Sequence, residues 1–178
     1  MAIPAGTHKL GPDNATLTVK TGKTGPAAPA GHNLVIHVTA WEATLDVGAD
    51  PADSTLALSA DGGSLKVQSG DGGAKPLSDK DKKNIEGSID KDILKKGSVQ
   101  FTSTSVTPTD GGLSVAGDLT MNKTTKPVSF DLVIGDDGAI TGSTKVAQTD
   151  HDVKVFSAMF GALKVTDEVE VVIVGSIA

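Results

Sequence analysis

The sequence has no cysteine, no tyrosine and no arginine, and its only aromatic residues are four Phe and one Trp in a chain of 178 residues. Without cysteine the chain cannot form disulfides, catalytic thiolates, zinc ribbons or iron–sulfur sites. Its 16 lysines are outnumbered by 22 acidic residues, which sets the net charge at -6. A nucleic-acid partner usually requires clustered cations and arginine forks, so none is expected.

Long apolar runs are also missing, because no run approaches the roughly 20 residues that cross a bilayer. The first seven residues lack the charged start and apolar stretch of a signal peptide. We therefore expect a soluble, cytoplasmic protein, or a periplasmic or secreted one if a leader has been removed. The length favours one domain spanning residues 1–178.

What the chain does contain favours β-structure. Eighteen of the acids are Asp, glycine numbers 21, and Thr and Val are frequent, a mixture that disfavours helices and suits strands joined by tight turns. Apolar residues alternate with polar ones in runs at 17–19, 34–38, 56–58, 65–67, 99–101, 113–121, 128–134 and 169–173. About eight strands, each with one apolar face, need a second sheet or closure into a barrel.

Glycine-rich and irregular segments separate these runs. The Asp-Gly pairs at 61–62, 71–72, 110–111 and 137–138 predict turns with positive φ. Residues 1–14 and 22–31 are predicted to be loop or tail. Residues 156–163 interrupt the alternation and could form a helical turn, a lid or a plug.

One or two short helices are expected within residues 77–96. Ser78, followed by acidic residues, has the pattern of an N-cap, and Ser88 has the same pattern. The apolar residues at helical spacing predict an inward face formed by Ile85, Ile89, Ile93 and Leu94.

Catalytic and metal-binding patterns are weak. His32 and His37 are five residues apart on an extended run, so their side chains point to opposite faces. His151 lies between two aspartates and could be an acid or base for Ser143 or Ser157, but neither serine is in a Gly-x-Ser-x-Gly elbow. The favoured interpretation is an exposed turn histidine. We predict no catalytic residue, no metal site and no cofactor.

The predicted interior is apolar, with few aromatic rings to fill it. A barrel lined by Leu, Val, Ile, Met and Phe could enclose an apolar ligand, or its side chains could simply fill the core. Composition does not decide between the two.

Residues 113–132 carry a motif that resembles a known family. Gly117, Leu119 and Thr120, followed by Thr125 and residues 126–128 (Lys-Pro-Val), match the "G-x-L-T … T-K-P-V" signature of YceI-like, polyisoprenoid-binding proteins. The resemblance extends over residues 15–177, and residues 160–171 resemble the closing strand of actinobacterial-type members. The chain departs from the pattern at Asn122, where glycine is common, and it lacks an arginine near Asp150 that many members carry.

This resemblance implies an extended antiparallel, lipocalin-like β-barrel of about eight strands with one or two short helices. It implies non-enzymatic binding, storage or transport of a polyisoprenoid or other long-chain amphiphile, such as a quinone or polyprenol. Residues 156–160 would form the mouth or cap. From strand parity, the predicted ligand contacts are Leu34, Ile36, Val38, Val99, Phe101, Leu113, Val115, Met121, Phe130, Phe156, Met159 and Phe160.

The expected partner is therefore a long-chain isoprenoid lipid. Transient contact with a membrane and formation of a homodimer are both compatible with this expectation. The alternative is a structural or protein-interaction β-domain with a filled core and no ligand.

Overall fold

A single curled antiparallel sheet dominates the computed structural model, which describes residues 4–177. Eleven strands follow the order β1-β5-β6-β8-β9-β10-β11-β14-β2-β4-β7, and β12, β13 and β3 form a small second sheet. The main sheet curls strongly into a half-barrel, which confirms the predicted lipocalin-like, all-β class. The strands are β1 (Gly6–Leu10), β2 (Ala15–Lys20), β3 (Lys23–Thr24), β4 (His32–Val38), β5 (Trp41–Val47), β6 (Thr55–Asp61), β7 (Leu65–Gly72), β8 (Ser98–Thr109), β9 (Gly112–Met121), β10 (Thr124–Ile134), β11 (Ala139–Ala147), β12 (Ser157–Ala158), β13 (Leu163–Val165) and β14 (Glu168–Ser176).

Three strands of the main sheet, β1, β5 and β11, lie outside the eight alternating runs. β1 falls within residues 1–14, where loop or tail was predicted, and it forms because its backbone pairs with β5, from Gly6 opposite Val47 to Leu10 opposite Ala43. Residues 1–3 of that predicted tail lie outside the described residues. The predicted loop at 22–31 contains the two-residue strand β3 and a 3-10 turn, Ala28–Ala30.

The predicted turns differ in backbone conformation. Gly72, Gly73 and Gly138 have φ near +80°, as expected, whereas the glycines at 62–63 and 111–112 have no positive φ. In the turn at residues 61–63, the Asp61 carboxylate accepts the Gly63 N–H at 2.9 Å and caps a 3-10 turn. Asn122 has φ of 53° in the turn between β9 and β10, so it takes the left-handed conformation that glycine commonly supplies.

The helical segment contains one α-helix, α1 (Asp79–Ser88), which continues directly into a π-helical turn, Ile89–Ile93. Ser78 caps α1 through a capping box in which Ser78 Oγ accepts the Asp81 N–H and the Asp81 carboxylate accepts the Ser78 N–H. The Ser78 N–H and then its hydroxyl lower the pKa of Asp81. The prediction of a second cap at Ser88 is wrong, because Ser88 has helical dihedrals and makes no capping bond.

α1 lies along β7, which is one edge of the main sheet. The Glu86 carboxylate accepts the Val67 N–H at 3.0 Å and contacts the Lys66 ammonium at 3.3 Å. The Lys82 ammonium donates to the Gln68 carbonyl at 3.2 Å. Side chains of the helix thus satisfy polar groups of an edge strand that has no further strand beside it.

Part of the barrel interior is fully packed. Leu45, Val106, Leu113 and Val115 are each at most 3% exposed and belong to one apolar cluster. No helix within residues 4–177 is long and apolar enough to cross a membrane.

Candidate functional site

The barrel encloses a cavity of about 560 Å³, within the roughly 300–1,000 Å³ that is typical of small-molecule sites. Its walls are the inward faces of the strands, where every second side chain points to the lumen. β14 contributes Val169, Val171 and Ile173, and β10 contributes Val128, Phe130 and Leu132. The surface that a bound molecule would meet is therefore mainly aliphatic.

Two phenylalanines form the aromatic part of the wall. The ring centroids of Phe101 and Phe130 are 5.4 Å apart and the rings are inclined at 54° to each other. Aromatic pairs prefer such a tilted arrangement to a face-to-face one. Gly117 leaves space for Phe101, because a Cβ at that position would lie 2.5 Å from Phe101 Cζ. Glycine at 117 therefore permits an aromatic wall beside the cavity.

The helical segment closes another side of the cavity. Ile85, Ile89, Ile93 and Leu94 line it, as the helical spacing predicted. Asn122 donates from Nδ2 to the Ile93 carbonyl at 2.7 Å. This bond ties the end of the π-helical turn to the β9–β10 turn and so holds the helical wall against the strands.

Beside the cavity lies the small sheet, and we call residues 21–31 and 153–166 together the cap. Lys164 lies opposite Thr24, and Ala158 lies opposite Leu163. The Ala27 N–H donates to the Ala162 carbonyl at 2.9 Å. The cap thus joins two distant parts of the chain by backbone bonds, and it contributes Gly31, Phe156 and Leu163 to the cavity lining.

A close approach holds the two halves of the cap together at Gly25. Its φ is +99°, and a Cβ there would lie 2.4 Å from the Ala162 carbonyl oxygen. Only glycine adopts this conformation readily and leaves room for that carbonyl.

Lys23 is the lysine of β3 and lines the cavity. Its ammonium donates to the Gly31 carbonyl at 2.7 Å. Within residues 4–177, no carboxylate lies within 4.0 Å of it. His32, beside it in the lining, donates from Nε2 to the Lys75 carbonyl at 2.8 Å. Lys23 is therefore a half-buried cation with no carboxylate partner among residues 4–177, in a cavity lined mainly by apolar side chains.

The twelve predicted contact residues divide into three groups. Eight line the cavity: Leu34, Ile36, Val38, Val99, Phe101, Met121, Phe130 and Phe156. Leu113 and Val115 are 1% exposed and lie in the packed core, away from the cavity surface. Met159 and Phe160 are exposed to solvent outside the cavity. A role in ligand binding stays a prediction for all of them.

Sequence reasoning missed several lining residues that lie on runs it had already identified. They include Leu17 and Val19 of β2, Leu119 of β9, and the apolar residues of β14. Their alternation with polar residues indicated that they face the lumen. Alternation does not show how far along the barrel a residue lies, so it cannot separate the cavity wall from the packed core.

His151 is buried, with 1% of its surface exposed, so its interpretation as an exposed turn histidine is wrong. The 3-10 turn Gln148–His151 places the ring against β9, where Nε2 lies 3.1 Å from the Leu119 carbonyl oxygen. Because a carbonyl only accepts, the imidazole proton is on Nε2. Nδ1 has no hydrogen-bond partner in the part of the chain that the structure describes. Ser143 lines the cavity and Ser157 is exposed in β12, and neither is hydrogen-bonded to His151.

Acidic residues and histidines are scattered over the molecule. Within residues 4–177, no three of them come together in a group that could hold a metal ion.

The model of the YceI-like domain matches residues 12–176. The chain belongs to the YceI-like family. Membership gives its coarse class, a barrel of the lipid- or polyisoprenoid-binding type in a family of binding proteins. No curated protein matches the chain.

Solved YceI-like structures share the fold. The crystal structure of Burkholderia cenocepacia BcnA is similar with a TM-score of 0.64 at 15% identity, over 90% of this chain and 94% of that one. The Campylobacter jejuni YCEI protein is similar with a TM-score of 0.57 at 15% identity, over 78% of this chain and 81% of that one.

Proposed function

We propose that this YceI-like protein binds and carries, without catalysis, a long-chain isoprenoid amphiphile of the quinone or polyprenol class. The observation that supports the proposal most strongly is the cavity of about 560 Å³ walled by aliphatic strand faces and the isoleucines of the helical segment. An unbranched or isoprenoid tail needs such a wall because it offers no hydrogen bonds. A filled-core interaction domain has no use for this space.

The energetics favour a carrier. Each methylene moved from water into the cavity contributes about 0.8 kcal/mol, so even part of a long tail would be retained against water. A bilayer is as apolar as the cavity, so the tail alone gives little preference for either. Exchange between membrane and protein is then decided by the shape of the lumen and by contacts with the head group.

Lys23 is suited to make the head-group contact. Its half-buried ammonium uses one of three possible donors on the Gly31 carbonyl, and no carboxylate of residues 4–177 lies within 4.0 Å of it. A partly desolvated cation gains from an added oxygen acceptor. A quinone carbonyl or a polyprenol-linked phosphate would supply one, with the tail extending inward from it.

The primary test is organic extraction of the purified protein followed by mass spectrometry, with added long-chain quinone as a second arm. We expect a stoichiometric isoprenoid species or saturable quinone binding. A blank extract together with no quinone binding would contradict the proposal and favour a filled-core interaction domain.

Two substitutions in β10 make the test specific for the lumen. Val128→Asp places a charge on the cavity wall, whereas Val133→Asp makes the same change on the outward face, where Val133 is 58% exposed. We expect Val128→Asp to lose the lipid and Val133→Asp to keep it. Circular dichroism verifies that both variants are folded. Equal retention by the two folded variants would place the lipid outside the cavity.

A further inference from the structure

Three large apolar side chains of the cap are exposed to solvent. Phe156 is 50% exposed, Met159 is 58% exposed and Phe160 is 113% exposed, more than in an extended reference chain. Phenylalanine is usually among the most buried residues, and this chain has only four. Two of the four phenylalanines, Phe156 and Phe160, therefore lie in one exposed segment.

The backbone holds these side chains outward. Met159, Phe160 and Gly161 have consecutive positive φ values of 53°, 57° and 86°. Such values are uncommon for bulky residues and persist only where the surroundings impose them. Here the flanking residues are fixed by the cap, since Ala158 pairs with Leu163 and the Val165 N–H donates to the Phe156 carbonyl at 3.0 Å. The segment is a tight projecting turn with Phe160 at its tip.

The charge of the cap is opposite to that of the whole chain. Residues 21–31 and 153–166 contain Lys23, Lys154 and Lys164 and no acidic residue, although the chain has a net charge of -6. Asp152 and Asp167 flank the second segment, and each accepts a hydrogen bond from a threonine hydroxyl outside the cap. The charged side chains of the cap are therefore all lysines, and two of them, Lys154 and Lys164, are exposed in the same segment as the apolar turn.

We propose that the cap docks on anionic lipid membranes, with Phe160 and Met159 entering the interface and Lys154 and Lys164 meeting the head groups. Apolar side chains flanked by lysines are the combination that binds at a lipid surface. The surface is continuous with the cavity, because Phe156, Leu163 and Lys164 of the same segment also line it. The purpose of docking, delivery of a lipid to that cavity, rests on the proposed function, but docking itself does not.

The test is co-sedimentation with vesicles of equal parts phosphatidylcholine and phosphatidylglycerol, and with vesicles of phosphatidylcholine alone. We expect wild-type protein to bind the anionic vesicles more tightly, and Phe160→Ser to weaken that binding roughly tenfold. The matched controls are Val133→Ser and Val174→Ser, which remove side chains 58% and 53% exposed. Both valines pair with Thr141, at the end of β11 remote from the cap, and we expect both variants to bind as wild type does.

Charge reversal provides an independent arm. Lys154→Glu combined with Lys164→Glu should weaken binding to the anionic vesicles by roughly tenfold or more and leave binding to phosphatidylcholine nearly unchanged. Lys9→Glu is the control, because Lys9 is exposed in β1, far from the cap. The Asn14 amide donates to the carbonyls of both Lys9 and Ser176, which places Lys9 beside the end of β14.

Unchanged vesicle binding by Phe160→Ser would overturn docking through the cap, and so would equal losses in the valine controls. Dimerisation that depends on Phe160, with no vesicle binding, would assign the surface to a second copy and would also overturn it. Quinone added from solution separates this proposal from the previous one. A wild-type protein that docks on vesicles but binds no quinone would contradict only the carrier function.

Discussion

Leu113 and Leu119 lie on the same face of β9 but in different halves of the barrel, one packed and one beside the cavity. Leu113 is 1% exposed within the packed core, whereas Leu119 is partly buried and lines the cavity. The packed half supplies dense apolar contacts, which stabilise the fold. The half next to the cap leaves space and carries the exposed apolar turn. We therefore expect one end of β9 to contribute mainly to stability and the other mainly to the proposed binding.

The largest expected effect tests that separation directly. Leu113→Ala should lower the free energy of unfolding by about 2–5 kcal/mol, because it opens a new void in a packed region. Leu119→Ala enlarges space that already exists, so we expect about 1–2 kcal/mol. Urea unfolding of both variants measures the difference. Equal losses would show that the cavity half is packed as tightly as the core.

The next effect concerns how the cap is held. Gly25→Ala puts a Cβ into the Ala162 carbonyl at a φ of +99°, and we expect a local cost of about 1–3 kcal/mol. Hydrogen exchange at the Ala27 amide, which donates to that carbonyl, should accelerate while amides of β9 stay protected. Gly87→Ala is the control, since a Cβ there meets nothing within 4 Å. Acceleration throughout the barrel would show that the cap and the sheet unfold as one unit.

A third, smaller effect separates the two roles of Asn122, its left-handed backbone and its bond to the Ile93 carbonyl. Asn122→Gly keeps the backbone conformation and loses the bond, so we expect a loss of about 1 kcal/mol. Asn122→Ala loses both and should cost about 1 kcal/mol more. Thermal unfolding checks the order of the variants. A glycine variant as stable as wild type would show that the tie to the helical segment contributes nothing.

The smallest effect is a pH dependence beside the cap. The Thr149 hydroxyl, followed by the Thr149 N–H, lowers the pKa of Asp167 from its ordinary 3.8. Because folding lowers this pKa, the stabilisation is present above pH 3.8 and is lost as the pH falls through the folded value. Asp167→Asn should therefore cost less than about 1 kcal/mol at neutral pH and nothing in acid. A difference that persists in acid would assign the effect to packing.

Alternation in the sequence was sufficient to predict an all-β protein and most of the strands, whereas the barrel was predicted only from the family resemblance. β5 has the same signal at Trp41, Ala43, Leu45 and Val47, but it was overlooked. β11 has a weaker one, because its inward positions include Gly142 and Thr144, which line the cavity. β1 has a single buried apolar residue, Leu10, so only its pairing with β5 identifies it.

The site was less accessible to prediction for a geometric reason. Parity shows which face of a strand a residue occupies, but Leu113 and Leu119 have the same parity and only the curl of the sheet separates them. The outward position of Phe160 depends on the consecutive positive φ values of residues 159–161. Of these three residues, only Gly161 is of a type that predicts a positive φ. The burial of His151 depends on contact with β9, 32 positions away in the chain.

The edge of the sheet beside α1 gives the lumen one compliant wall. Between neighbouring strands the wall is a ladder of backbone hydrogen bonds, which would have to break for those strands to separate. Along β7 the next element is a helix attached through the side chains of Glu86 and Lys82, and side chains can follow a small displacement. For the proposed carrier function, we expect ligands of different width or branching to be accommodated by a shift of the helix, with the sheet unchanged.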